Sequence, residues 1–295
     1  MTIPLISVIL PTHNRVSLLG KAINSVLLQT ERDFELIIVD DASTDQTSEL
    51  LKQFIENDTR IKVIKNIAAL GGGGARNVGI FASKAKWVAF LDDDDEWLEN
   101  KLSSQLEEVN LSPSAVACSC SYVYNYPFGL RRKFVIPKNV SLNELYYENV
   151  LGGASVCFCS RDVLQKIHGF DTKLKSGQDW DLWVRLRKEG EIVVCDKPLV
   201  RYFAHNGLRI SNDMQSQYLG IRRFYFKYRD NMDVTLRRFR ICQACFVKSR
   251  DKEKILAKRF HYLYLAVYYS DLLVGLSYLK SSFPRILIDR LFCRK

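Results

Sequence analysis

Three apolar runs in the first third of the chain each end in a polar cluster, and this pattern restricts the fold more than any other feature. Leu5-Ile6-Ser7-Val8-Ile9-Leu10 is closed by Pro11 and followed by Thr12-His13-Asn14-Arg15. Phe34-Glu35-Leu36-Ile37-Ile38-Val39 ends in Asp40-Asp41, and Trp87-Val88-Ala89-Phe90-Leu91 ends in Asp92-Asp93-Asp94-Asp95. Short apolar runs bounded by turn formers read as buried strands. Between the first two, Leu18, Leu19, Ala22, Ile23, Val26 and Leu27 recur at helical spacing. Ser43-Thr44-Asp45-Gln46 reads as a capping box opening a helix through Phe54 and Ile55. Ile61 to Ile64 is a third strand, and Gly71-Gly72-Gly73-Gly74 leads into another helix. Strands alternating with helices imply an α/β fold, a parallel sheet with helices on both faces. Ligands of such sheets bind beyond the carboxyl ends of the strands. The three polar clusters therefore converge on one edge.

The four aspartates carry the strongest chemical signal. Like charges a few ångströms apart repel by roughly 4 kcal/mol per pair at an effective dielectric near 20. A hard divalent cation, Mn²⁺ or Mg²⁺, offsets that cost and prefers carboxylate and phosphate oxygens. Side-chain alternation in an extended strand puts Asp92 and Asp94 on one face and Asp93 and Asp95 on the other. The first pair then holds a metal and a sugar, and the second caps a helix over Trp97–Leu106.

At 295 residues, 47% of them hydrophobic, the chain holds one large domain or one plus an appendage. The net charge of +10 is uneven: 20 of the 43 Lys and Arg lie after residue 200, against 7 of the 33 Asp and Glu. The eight cysteines include Cys118/Cys120 and Cys157/Cys159, each pair on one strand face, and a lone Cys242-x-x-Cys245. Zinc needs two further ligands at suitable spacing, so buried reduced thiols of a cytosolic protein are the reading. The N-terminus shows no basic region or cleavage site of a signal peptide.

The glycine run matches neither nucleotide fingerprint. Gly71 and Gly73 are followed by Arg76 where G-x-G-x-x-G needs glycine, and Gly74 and Gly79 by Ile80 where a P-loop needs Lys. A kinase or a dehydrogenase is thereby disfavoured. The run is either a flexible turn or a place where backbone approaches a ligand. Asp40-Asp41 is either a turn and capping pair or an acceptor for a base N–H or ribose hydroxyl. His205 is either structural or a late ligand to the metal or diphosphate.

In order and spacing, Ser7–Arg15, Asp40–Asp45, Gly74–Ile80, Leu91–Asp95, Ile167–Asp171 and Gln178–Trp183 resemble the GT-A nucleotide-sugar glycosyltransferases of family 2. The resemblance covers about residues 5–210. It implies a Rossmann-like mixed, mostly parallel sheet and inverting transfer from a nucleotide-diphosphate sugar, usually UDP-linked. By position, it implies that Thr12, Asn14 and Arg15 line the nucleotide pocket and Asp41 meets the uracil. Arg76 would lie on the phosphate side. Asp94 would be the main metal ligand, and Asp92 would hold ribose or sugar. Asp179 would be the catalytic base. The family usually has a small residue where Asp93 stands and often Glu where Gln178 stands.

The chain divides by pattern into a transferase domain, 1–213, and a basic helical region, 214–295. In the latter Arg222-Arg223, Arg237-Arg238-Arg240 and Lys258-Arg259 interleave with Phe and Tyr. With no nucleic-acid module present, the reading is helices on the cytoplasmic face of an inner membrane, Ser281–Lys295 forming a basic tail. The bland alternative is a helical cap with a solvated basic face. Phe260–Leu279 is long enough to span, but His261 and Asp271 interrupt it. Together these features imply a metal-dependent hexosyltransferase moving a β-linked sugar, glucose first, to an undecaprenyl-diphosphate-linked sugar in O-antigen or lipopolysaccharide synthesis. UDP-galactose or UDP-N-acetylglucosamine transfer to capsule or exopolysaccharide is the alternative. A nucleotidyltransferase would require a Gly-rich basic loop after the first strand. An inert glycan- or nucleic-acid-binding protein would not require Asp92, Asp94 and Asp179 together.

Overall fold

A computed structural model describes residues 3–126, 129–203 and 213–249. They divide into two compact units, one of residues 3–126, 129–173 and 178–203, the other of 174–177 and 213–249. In the first unit the strands β1 (Ile6–Thr12), β2 (Phe34–Asp40), β3 (Ile61–Lys65), β4 (Trp87–Phe90), β5 (Glu96–Trp97), β6 (Ala115–Asn125), β7 (Arg131–Phe134), β8 (Phe158–Ser160) and β9 (Glu191–Phe203) form one sheet. Its order is β3-β2-β1-β4-β8-β6-β9-β5, with β7 paired to β6. The four strands β3-β2-β1-β4 run parallel, as do β6 and β9; β8, β5 and β7 pair antiparallel. The mixed, mostly parallel GT-A sheet expected from the resemblance is the sheet found.

Both β1 and β2 are buried along their whole length, in register from Ile6↔Phe34 to Thr12↔Asp40. Pro11 does not close β1 but lies within it. Its missing donor faces the β4 side, as does the Ile9 carbonyl that accepts from Leu91 N, and pairing there has ended at Ile9↔Phe90. The helices of this unit include α1 (Val16–Leu27), α2 (Thr47–Asn57), α3 (Gly71–Ala82), α4 (Lys101–Leu111), α5 (Leu142–Tyr147), α6 (Arg161–Lys166) and α7 (Gln178–Glu189). Helix α3 lays Ala75, Val78 and Ala82 on Ile37, Val39 and Ile64. It crosses β1 so closely that a Cβ on Gly79 would stand 2.5 Å from Ile9 Cγ2.

Two local expectations fail. Ser43 does not cap α2; Asp45 accepts from Thr47 N at 3.1 Å and from Val16 N at 3.2 Å, serving α2 and α1 together. The helix expected over Trp97–Leu106 begins only at Lys101, because Glu96-Trp97 is taken by pairing with β9. Asp93 and Asp95 therefore cap nothing there.

In the second unit Asp213 caps α8 (Met214–Tyr228), accepting from Gln215 N and Ser216 N at 3.0 and 3.2 Å. Helix α8 packs on α9 (Val234–Ser249). Arg240 is only 1% exposed, with its guanidinium 5.3 Å from both the Phe224 and Phe239 rings. Part of the basic–aromatic interleaving is thus internal packing. Among the described residues no helix is long and apolar enough to cross a membrane. Residues 260–279 and the tail lie outside the described residues, as does His205.

Candidate active site

The sheet brings the ends of β1, β2 and β4 side by side, since β1 pairs with both of the others. At the end of β1 the chain must turn at once. Asn14 takes a left-handed backbone, φ 53°, and its side-chain oxygen accepts from Thr44 N at 2.7 Å. Its own N–H donates to Ser43 Oγ at 3.0 Å. Asn14 thereby staples the β1 loop to the β2 loop. His13 Nδ1 lies 2.7 Å from the Asp41 carbonyl.

The β2 acids are absorbed by the fold. Asp40 accepts from Ser43 N at 2.9 Å. Asp41, expected at a uracil, accepts from Asn66 Nδ2 at 2.7 Å, Leu70 N at 2.9 Å and Gly71 N at 2.8 Å. It thus caps α3, and the glycine run is the first turn of that helix rather than a loose loop. Small residues here let two partners close in. A Cβ on Gly72 would lie 3.1 Å from Arg76 Nη1, and one on Gly73 would lie 2.9 Å from Gln178 Oε1.

The β4 acids behave otherwise. The chain turns at once after Leu91, with Asp95 N donating to Asp92 O at 3.1 Å. The expected alternation is therefore lost. Carboxylate oxygens of Asp92, Asp94 and Asp95 lie within 4.8 Å of one another. Asp95, which the strand pattern assigned to the far side, joins the group. Ser155 holds the turn from below, donating to Asp95 Oδ2 at 2.5 Å and accepting from Asp92 N at 3.1 Å. Two guanidiniums face the group: Arg15 Nη1 is 3.2 Å from Asp94 Oδ2, and Arg76 Nη2 bonds Asp92 Oδ1. Asp93 turns away and accepts from Thr12 Oγ1 at 2.8 Å. Burial pushes its carboxyl up to about 7; the Thr12 bond and Arg15 oppose this, and Asp94 and Asp92 reinforce it. Three clustered carboxylates form an all-oxygen donor set that fits a hard divalent cation, Mn²⁺ or Mg²⁺.

Asp179 sits in the first turn of α7. Burial raises its carboxyl above the ordinary Asp range, against the lowering pull of backbone N–H bonds and the Arg76 charge. Asn149 Nδ2 donates to Asp179 Oδ2 at 3.2 Å. Arg76 is the link between the two acidic groups. Burial would lower its pKa, but Asp92, Asp179 and Asp93 outweigh that and hold the guanidinium charged. Its position is fixed from behind. The Phe170 ring lies 5.3 Å from the guanidinium carbon, and Asn77 exchanges two hydrogen bonds, 2.9 and 2.7 Å, with the Phe170 backbone. His168 and Gly169 supply this turn with positive φ, 60° and 61°. The Ile167–Asp171 motif is thus a support for Arg76.

Sequence reasoning missed Ser155, Asn149, Gly153 and Tyr202. A Cβ on Gly153 would stand 3.0 Å from Tyr202 Oη and 3.7 Å from Asp179 Oδ2. Tyr202 Oη is buried with no hydrogen-bond partner among the described residues. This close approach of Tyr202 Oη and the Asp179 carboxylate to glycine backbone leaves no room for a side chain. No motif spacing exposes it, because Gly153 and Tyr202 meet only through the pairing of β6 with β8 and β9.

The comparisons agree with this geometry. The profile of the family described as "Glycosyl transferase family 2" matches residues 7–167. The putative colanic acid biosynthesis glycosyl transferase WcaA of Escherichia coli K12 is 33% identical over 249 residues, covering 81% of this chain and 86% of WcaA. The E. coli UDP-Glc:alpha-D-GlcNAc-diphosphoundecaprenol beta-1,3-glucosyltransferase WfgD is 31% identical over 195 residues, covering 64% of this chain and 72% of WfgD. Among solved structures, S. aureus TarS 1-349 in complex with UDP-GlcNAc superposes with a TM-score of 0.63 at 18% identity, over 98% of this chain and 76% of that one. The Pyrobaculum calidifontis mannosyltransferase PcManGT, in complex with GDP-Man and Mn²⁺, gives 0.62 at 13% identity, over 100% and 89%. The two structures share the fold, and the sequence matches reach further. The chain belongs to glycosyl transferase family 2.

Proposed function

We propose that this glycosyltransferase moves a hexose, with inversion, from a UDP-sugar to a lipid-diphosphate-linked sugar. Glucose is the first choice of donor, and GlcNAc on undecaprenyl diphosphate the first choice of acceptor. One observation carries the reading: the clustered carboxylates of Asp92, Asp94 and Asp95 are tied through Arg76 to the buried carboxyl of Asp179. The likeness to WfgD supports the choice of donor and acceptor.

In this account Thr12, Asn14, Arg15 and Asp41 shape the uridine end, the last by fixing the start of α3. Asp94, Asp92 and Asp95 would hold the divalent cation. When bound, the cation neutralises charge that develops on the diphosphate as the bond to C1 breaks. Arg76 and Arg15 add fixed positive charge on the same side and need no reorganisation to do so. Asp179 accepts the proton of the attacking hydroxyl. Burial raises its basicity, and the Arg76 charge acts in the opposite direction. In-line attack inverts the anomeric centre, and an α-linked donor gives a β-glycoside.

The test is a panel of UDP-glucose, UDP-galactose and UDP-N-acetylglucosamine with Mn²⁺ and a GlcNAc-diphospholipid acceptor. Glucose transfer giving a β-linkage by NMR is expected. Transfer with retained configuration would overturn the mechanism, and exclusive use of another donor would overturn the choice of sugar.

A further inference from the structure

One exposed feature lies outside the site's chemistry. β7 is an edge strand, paired antiparallel to β6 from Asn125↔Arg131 to Tyr122↔Phe134. It carries Arg131, Arg132 and Lys133 in succession, all exposed. Lysine and arginine commonly protect a bare sheet edge from pairing. Protection alone does not account for what brackets them: Leu130 and Val135 are 61% and 65% exposed. Arg131 and Lys133 lack a carboxylate partner among the described residues, and Arg132 lies over the Phe134 ring at 4.8 Å. Tyr124 and Tyr126 pack together at 4.6 Å on the paired strand.

Cations for headgroups, bare apolar side chains for the acyl boundary and tyrosines between them are the chemistry of an anionic bilayer surface. An acidic protein would satisfy the charge but not the exposed leucine and valine. The strand also reaches the surroundings of Asp179 through packed rings ending at Tyr202, whose hydroxyl lies against Gly153 beside that carboxylate. Phe134 stacks on Tyr122 at 4.9 Å, and Tyr122 meets Tyr202 edge-on at 4.8 Å.

We propose that the β6–β7 hairpin is a docking surface for an anionic lipid bilayer and sets the acceptor side of the site at the membrane. This rests on the lipid-linked acceptor proposed above. It places a membrane contact within the transferase unit itself, separate from the basic C-terminal region.

The test is sedimentation of the full chain with phosphatidylcholine vesicles, with and without phosphatidylglycerol. Neutralising the strand (Arg131→Gln, Arg132→Gln, Lys133→Gln) should lower partition to the anionic vesicles on the order of 100-fold. Leu130→Ser with Val135→Ser should lower it roughly tenfold. A control neutralising the exposed Lys21, Lys52 and Lys84 should leave it unchanged. All three proteins should melt as the wild type does and hydrolyse UDP-sugar at its rate. Wild-type partition in both hairpin variants, or an equal loss in the control, would overturn the proposal. So would hairpin-dependent retention on heparin without retention on vesicles. Transfer to a water-soluble GlcNAc-diphosphate analogue separates the two claims. Its absence in the wild type would count against the proposed acceptor, whatever the vesicles show.

Discussion

Two acidic clusters flank β1, one at the end of β2 and one at the end of β4, and they do opposite things. Asp40 and Asp41 meet mainly neutral donors, backbone N–H groups, an amide side chain and the start of α3, with one half-exposed ammonium, Lys65 Nζ, 3.8 Å from Asp40 Oδ2. Asp92, Asp94 and Asp95 instead meet one another and two guanidiniums. The first arrangement uses carboxylates to hold loops in place. The second brings three carboxylates together, the oxygen donor set that a hard cation takes. The sequence around both clusters is nearly the same, apolar strand then aspartates; the partners make the difference.

The largest expected effect concerns the group that lies across Arg76 from the β4 cluster. Asp179→Asn should lower transfer on the order of 10³-fold. Its folded-state pKa is raised by burial, so its contribution to stability is full at low pH and falls as pH rises above the ordinary Asp range. The variant should therefore melt no lower than the wild type. A sharp fall in melting temperature would make Asp179 structural.

Arg76→Met removes the charge shared by both carboxylates and should cost roughly 100-fold in kcat. Arg76 lowers the pKa of Asp179, so without it the acidic limb of the pH–rate profile should move to higher pH. An unmoved limb would break the link between the clusters.

Asp41→Ala probes the other side of the comparison. It strands the Leu70 and Gly71 N–H groups and Asn66, and should cost about 3 kcal/mol of stability by denaturant titration. Donor binding should weaken only through the loosened α3. A normal melting curve with lost UDP binding would instead make Asp41 a direct nucleotide contact.

Within the β4 cluster the expected effect depends on pH and leaves the cation ligands in place. Asp93 has a folded-state pKa of about 7, above its ordinary value, so the stability it allows is full at low pH and falls as pH rises toward 7. Measured in chelator, Asp93→Asn should match the wild type near pH 4 and exceed it by up to roughly 4 kcal/mol at pH 8. A constant difference across that range would show that Asp93 is not titrating.

Strands β1 to β4 and the edge where their polar ends gather were legible because period and composition report burial directly, whereas β5, β7 and β9 were not read from the sequence. The site residues on motifs, Arg76 and Asp179 among them, were named through the family resemblance, and their roles remain as proposed. What escaped was set by tertiary pairing. Asp95 joined the cluster because the turn after Leu91 starts at once and Ser155 holds it. Asp41 became a helix cap because α3 starts above β2. The expected helix at Trp97 yielded to a two-residue pairing with β9. Gly153 and Tyr202, far apart in the chain, meet only in the folded sheet.

The central claim is that the β4 cluster, and not the β2 cluster, holds the cation that the donor diphosphate requires. Mn²⁺ binding followed by EPR in the presence of UDP tests it on the wild type, Asp94→Asn and Asp41→Asn. The account predicts that Asp94→Asn weakens Mn²⁺ by about 100-fold or more, while Asp41→Asn stays near the wild type. Wild-type affinity in Asp94→Asn would contradict it.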